Sequence, residues 1–155
     1  MRKHIFWRNL LTGVMLAGLL PQIAFAESGQ MLAPKPVTVY KSPSCGCCSK
    51  WVTHLQDNGF EVNAINRNDM NSVKSEAGIP RKLASCHTAV VGGYLIEGHV
   101  PAADIRRLLK ERPAVAGLSV PGMPMGSPGM EGARQDTYKV LTFTKQGDSS
   151  VFSSY

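Results

Sequence analysis

Apolar and polar positions change their rhythm several times along this chain. Residues 10–20 form an apolar stretch preceded by Arg2, Lys3 and Arg8 and closed by Pro21 and Ala24-Phe25-Ala26. A membrane span needs ~20 apolar residues, so this shorter run with small residues at 24 and 26 reads as a secretory signal peptide. Residues 1–26 are therefore expected to be removed on export to the periplasm. Residues 27–36, ending in Ala33-Pro34-Lys35-Pro36, read as a linker, and residues 37–155 as one domain. No membrane span remains after cleavage.

Within the domain the period alternates between that of strands and that of helices. Val37-Thr38-Val39-Tyr40 is β-branched and aromatic, as in a strand. Ser42-Pro43-Ser44 then supplies a turn. Trp51, Val52 and Leu55 recur at helical spacing, and Gly59 is a fitting stop, so the segment from Cys45 to Asn58 is predicted to be helical. A second strand is expected over 60–65, a weak helix over 69–77, and a Gly92-Gly93 hairpin between strands 88–91 and 94–97. Pro101 suits the first turn of a helix over about 101–111, with Ile105, Leu108 and Leu109 on one face and Pro113 beyond its end. Residues 114–134 carry neither period and read as a Met/Gly/Pro-rich loop. Residues 138–144 and 150–155 read as a closing hairpin added to one sheet edge. The predicted fold is α/β: a thioredoxin-like β-α-β-α-β-β-α core with that loop and a C-terminal β-hairpin.

Charge changes this picture little. Three of the 17 Lys and Arg residues lie in residues 1–26, leaving 14 against 11 Asp and Glu, a net charge of +3. The basic residues are scattered, so no phosphate-binding stripe is present and nucleic acid is not an expected partner. Asp104, Arg106 and Arg107 read as the wet face of the last helix.

The cysteines change it a great deal. They stand at 45, 47, 48 and 86, three of them within four positions. Exported cysteines usually staple separate elements, yet Cys47 and Cys48 are neighbours and cannot easily bond to each other. Crowding at a helix N-terminus, where partial positive charge and free N–H groups favour thiolate, points to chemistry instead. Cys45 and Cys48 alone form a Cys-x-x-Cys dithiol. The third thiol, Cys47, suits a soft metal ion better than it suits disulfide exchange. Cys86 immediately precedes a strand, where a thioredoxin-type fold places the loop that faces the helix N-terminus, so all four sulfurs can converge.

Four runs carry a resemblance: Ser44-Cys45-Gly46-Cys47-Cys48-Ser49-Lys50-Trp51, Ala84-Ser85-Cys86-His87-Thr88-Ala89, Glu97-Gly98-His99-Val100-Pro101, and residues 121–131 with their Gly-Met-Pro and Pro-Gly-Met units. From about Val37 to Tyr155 the chain resembles the periplasmic, thioredoxin-like copper-resistance proteins of the CopG type, which are unrelated to the plasmid repressor of that name. The resemblance implies a cysteine-bridged copper cluster at Cys45, Cys47, Cys48 and Cys86, holding more than one Cu(I)/Cu(II) ion. It also implies a role in copper or wider heavy-metal resistance, beside other periplasmic copper-handling or efflux proteins. Ordinary thioredoxins carry a cis-proline where this chain has Cys86-His87, which argues against general disulfide exchange.

Thioether sulfur prefers Cu(I), and Met123 and Met130 match the family pattern; Met125 falls at a more variable position. Each methionine is otherwise a flexible gap-filler. His87 adjoins Cys86, where it ligates metal, supports a ligand or bonds only backbone. His99 either points at the cluster or caps the Pro101 helix. His54 lies ~10 Å along the helix from Cys47 and reads as solvated; Trp51 reads as a core anchor. Two further readings stay open: a thiol-disulfide oxidoreductase with Cys45 as nucleophile and Cys48 as resolving thiol, and a four-thiolate zinc module. No defined organic substrate follows from the sequence, and no catalytic residue is assigned.

Overall fold

The structure is a computed structural model and describes residues 36–155. The signal peptide read in residues 1–26 and all but the last residue of the linker lie outside the described residues. The elements run β1 (Val37–Lys41), α1 (Gly46–Asp57), β2 (Val62–Asn66), α2 (Met70–Glu76), a 3-10 turn (Arg81–Leu83), β3 (Thr88–Val91), β4 (Tyr94–Glu97), α3 (Ala102–Glu111), β5 (Gly117–Ser119), β6 (Lys139–Phe143) and β7 (Ser149–Ser154). The expected order through α3 and the closing hairpin are present. The result is a mixed α/β fold, with a seven-stranded sheet in the order β2-β1-β3-β4-β5-β6-β7.

Two β-α-β units build this sheet. In β1-α1-β2 the strands pair in parallel, Val37 opposite Val62, and in β4-α3-β5 they do so again, Leu95 opposite Gly117. Antiparallel pairing of β3 with both β1 and β4 joins the units. The strand β5 corrects the reading of 114–134 as unbroken loop. It is only three residues long, and its single large apolar side chain, Leu118, shows no period; its neighbours define it. Through β5 the terminal hairpin continues the sheet, since β6 pairs antiparallel with β5 and β7 with β6.

Alternation along the strands separates two apolar clusters. Val37, Val39, Ala89, Ile96, Leu118 and Val140 meet Trp51 and Leu55 of α1 and Ile105 and Leu108 of α3 in the main core. The opposite face is smaller, with Phe143, Leu95 and Leu141 packed against Ile79 and Leu83. Helix α3 also departs from the expected wet face at one point. Asp104 is 4% exposed, and its carboxylate accepts from Ser153 Oγ at 2.5 Å and Tyr155 Oη at 2.8 Å, tying α3 to the end of the hairpin. Arg107 Nη2 lies 3.3 Å from the same carboxylate with its guanidinium 3.7 Å from the Phe152 ring centroid, while Arg106 stacks on Phe60.

Candidate metal centre

The site begins where β1 hands the chain to α1. Cys45 is the N-cap of α1, and its Sγ accepts the Cys48 N–H at 3.3 Å, the bond that a capping side chain supplies to an unpaired helix-end donor. One turn then places Cys45, Cys47 and Cys48 together. Cys45 and Cys48 are joined by a disulfide, and Cys47 and Cys86 are free thiols. Cys47 Sγ lies 3.5 Å from Cys45 Sγ and 3.8 Å from Cys86 Sγ. The expected convergence of the four sulfurs is therefore present: all lie within 4.8 Å of one another.

A second group shares Cys86. One donor atom each from Cys86, His87 and His99 lie within 4.8 Å of one another. His99 Nδ1 sits 2.8 Å from the Pro128 carbonyl, which can only accept, so Nδ1 carries the proton. Nε2 is thereby left as a lone pair, 3.0 Å from Cys86 Sγ. Burial holds the His99 imidazole below its ordinary pKa, in the neutral form that a metal requires. His87 is fully buried, and neither of its ring nitrogens has a hydrogen-bond partner. Its ring packs 4.3 Å from that of Trp51 and 5.0 Å from that of His99, and burial pushes its pKa well below the ordinary value. Trp51 is the core anchor expected of it, and it also walls this ring, with Nε1 donating to the Val100 carbonyl at 2.9 Å. Burial, and then the neighbouring Cys47, raises the Cys86 thiol to about 11.

The methionine loop is laid against this corner by the chain's own bonds. Gly122 N–H donates to the Ala84 carbonyl at 3.2 Å, and Ser85 Oγ donates to the Gly122 carbonyl. At the loop's far end a Cβ on Gly129 would lie 2.7 Å from the Cys47 carbonyl, so only glycine lets the loop rest on the first turn of α1. The backbones of Met123 and Met130 are thus held beside Cys86 and Cys47 respectively. Met123 is 56% exposed and Met130 partly buried.

His54 corrects the sequence reading. It is half-buried, and its Nε2 accepts the Ala102 N–H at 3.1 Å, so His54 rather than His99 caps α3. Sequence reasoning also passed over Glu97 and Lys74. Glu97 is fully buried on β4, with Lys74 Nζ at 2.6 Å and the Ser85 N–H at 2.6 Å on one oxygen and Thr88 Oγ1 at 2.6 Å on the other. The only signal for Glu97 was its place in the Glu97-Gly98-His99 run; Lys74 had none.

Fold and site define a mixed α/β protein whose cysteine and histidine cluster is able to hold a metal ion. A family model described as "Protein of unknown function, DUF411" matches residues 83–130. No curated protein matches. Two solved structures do, titled "Copper resistance protein copG- Form 2" and "Copper resistance protein copG- Form 1". Each is 50% identical and covers 79% of this chain and 98% of its own, with TM-scores of 0.75 and 0.74. The chain belongs to the CopG family of copper resistance proteins. Among the described residues no helix is long and apolar enough to cross a membrane.

Proposed function

We propose that this chain is an exported, periplasmic copper-handling protein of thioredoxin-like build, holding more than one copper ion through Cys45, Cys47, Cys48 and Cys86. In this reading His87 and His99 complete the set and Met123 and Met130 close it. The observation that carries the reading is His87, fully buried with both ring nitrogens unpartnered beside a thiol and a second imidazole. A buried polar group without a partner costs about 1–3 kcal/mol, and a metal bond at one nitrogen would relieve part of that cost. Soft thiolates with imidazoles suit copper, and thioethers favour Cu(I). With the Cys45–Cys48 disulfide reduced, bridging sulfur would let four thiolates serve several ions.

Supporting copper over other cargo is the 50% identity to proteins titled as copper resistance proteins. The apolar leader in residues 1–26 supports export, where other copper-handling or efflux proteins are the fitting partners.

The Cys45–Cys48 disulfide favours a second reading, dithiol redox chemistry with Cys45 as nucleophile and Cys48 as resolving thiol. The two readings are chemically compatible. Closing the disulfide from two thiols releases two electrons and two protons, enough to reduce two Cu(II) to two Cu(I).

Metal content and free-thiol count of protein purified from copper-supplemented cells test the proposal. More than one copper per chain supports it. About one zinc indicates a thiolate zinc module, and metal-free protein with two free thiols leaves the dithiol reading alone.

A further inference from the structure

Glu97, Gly98 and His99 are consecutive, and all three act on one short segment, Ser85-Cys86. Glu97 takes the Ser85 N–H. A Cβ on Gly98, whose φ is +72°, would lie 2.5 Å from Ser85 Cβ and 2.6 Å from the Val120 carbonyl, so glycine lets the segment lie flat on β4. His99 Nε2 meets Cys86 Sγ. The Gly98 N–H closes the arrangement by donating to the His87 carbonyl at 3.0 Å.

Beneath this segment lies the pair of Lys74 and Glu97, whose side chains are 12% and 0% exposed. Burying two charges is expensive, and a buried pair is often no more stabilising than apolar side chains of the same volume. Stability alone is thus a poor reason for it here. What an apolar pair could not supply is an acceptor for the Ser85 N–H, one residue before the free thiol shared by both groups of donors.

We propose that the buried Lys74–Glu97 pair is a positioning device for Cys86, with Glu97 fixing the Ser85 backbone and Lys74 holding the carboxylate in the orientation that does so. Cys86 has no cap or disulfide of its own. Cys45, Cys47 and Cys48 are placed by one helical turn, whereas Cys86 follows a 3-10 turn and a connecting segment, and its distance of 3.8 Å from Cys47 depends on that segment being held. Lys74 reaches across from α2 to Glu97 and also meets Thr88 Oγ1 at 3.1 Å, so α2 is coupled to the cysteine corner through this pair.

The inference rests on Cys86 being a copper ligand, and the test separates the two. Four variants are compared with wild type: Lys74→Met, Glu97→Gln, Glu97→Leu and the double Lys74→Met/Glu97→Leu. Thermal midpoint, Cu(I) affinity against a chromophoric chelator, and the alkylation rates of Cys86 and Cys47 in metal-free protein are measured. The double variant should recover the midpoint lost by Glu97→Leu yet bind Cu(I) at least tenfold more weakly than wild type. Glu97→Gln, which keeps an oxygen for the Ser85 N–H, should stay within threefold of wild type. Recovery of copper affinity together with stability in the double variant overturns the proposal, as does equal loss in Glu97→Gln and Glu97→Leu. Should the double variant not fold, Lys74→Met against Lys74→Arg decides: loss rescued by arginine supports the device, and wild-type affinity in both overturns it. If wild type itself binds no Cu(I), the copper reading fails. The device is then judged by alkylation alone, where Glu97→Leu should change the Cys86 rate at least threefold with Cys47 unchanged, and an unchanged Cys86 rate overturns it.

Discussion

His99 Nε2 lies 3.0 Å from Cys86 Sγ while its Nδ1 donates to the Pro128 carbonyl at 2.8 Å. One imidazole therefore joins the cysteine corner to the methionine loop, and the loop carbonyl sets which nitrogen faces the sulfur. His99→Ala removes both contacts. We expect Cu(I) affinity to fall about tenfold, or ~1.4 kcal/mol, and hydrogen exchange over 124–131 to quicken. Unchanged affinity with quickened exchange would confine His99 to holding the loop.

Cys47→Ser separates metal binding from the dithiol. Its sulfur stands between Cys45 and Cys86, and it takes no part in the disulfide. The fold and the ability of Cys45 and Cys48 to form their disulfide should persist, while chelator competition on the reduced protein should show Cu(I) affinity lowered by more than about tenfold. Wild-type affinity in this variant would remove the four-sulfur cluster.

Copper binding should tighten as pH rises. The Cys86 thiol is raised from its ordinary 9.0 to about 11 by burial and then by Cys47, so it is protonated at neutral pH and must lose its proton to ligate. Each proton displaced adds about tenfold in affinity per pH unit, and Cys86→Ser should lower the measured slope between pH 6.5 and 8.5 by about one proton. The sign for folding is opposite. The unfolded thiol ionises near 9 and the folded one near 11, so this group's contribution to metal-free stability is lost as pH rises across that window.

The methionines should act on selectivity. Met123→Ala with Met130→Ala should weaken Cu(I) binding about tenfold and scarcely alter Zn(II) binding through the cysteines, because thioethers favour the softer ion. Parallel competition titrations at one pH give the ratio. Equal losses for both metals would mean that the loop acts by shielding.

Asp104→Asn tests the anchoring of the hairpin. The carboxylate accepts two hydroxyl hydrogen bonds and faces Arg107, so its neutralisation should cost about 1–3 kcal/mol in denaturant unfolding. Copper affinity should be untouched, since the Asp104 carboxylate bonds Ser153, Tyr155 and Arg107 and none of the candidate ligands.

Much of the site is legible in the sequence. Helical spacing and the stop at Gly59 are local signals, and they put Cys45, Cys47 and Cys48 at one helix N-terminus; the thioredoxin-type order expected of the chain put Cys86, just before a strand, opposite them. Strong periods likewise announced β3, β4 and α3, within a residue of their ends. What the tertiary structure alone decided are matters of which distant segments meet. Three residues became β5 because β4 and β6 offer hydrogen bonds on both sides. Asp104 is buried because the chain's last residues bring hydroxyl donors to it. His54 caps α3 because α1 and α3 lie side by side in the core. Lys74 and Glu97, 23 residues apart, form a pair only once the fold brings α2 against β4. Charge and polarity mark such residues for solvent in the sequence, because burial of a polar group depends on partners that local pattern does not encode.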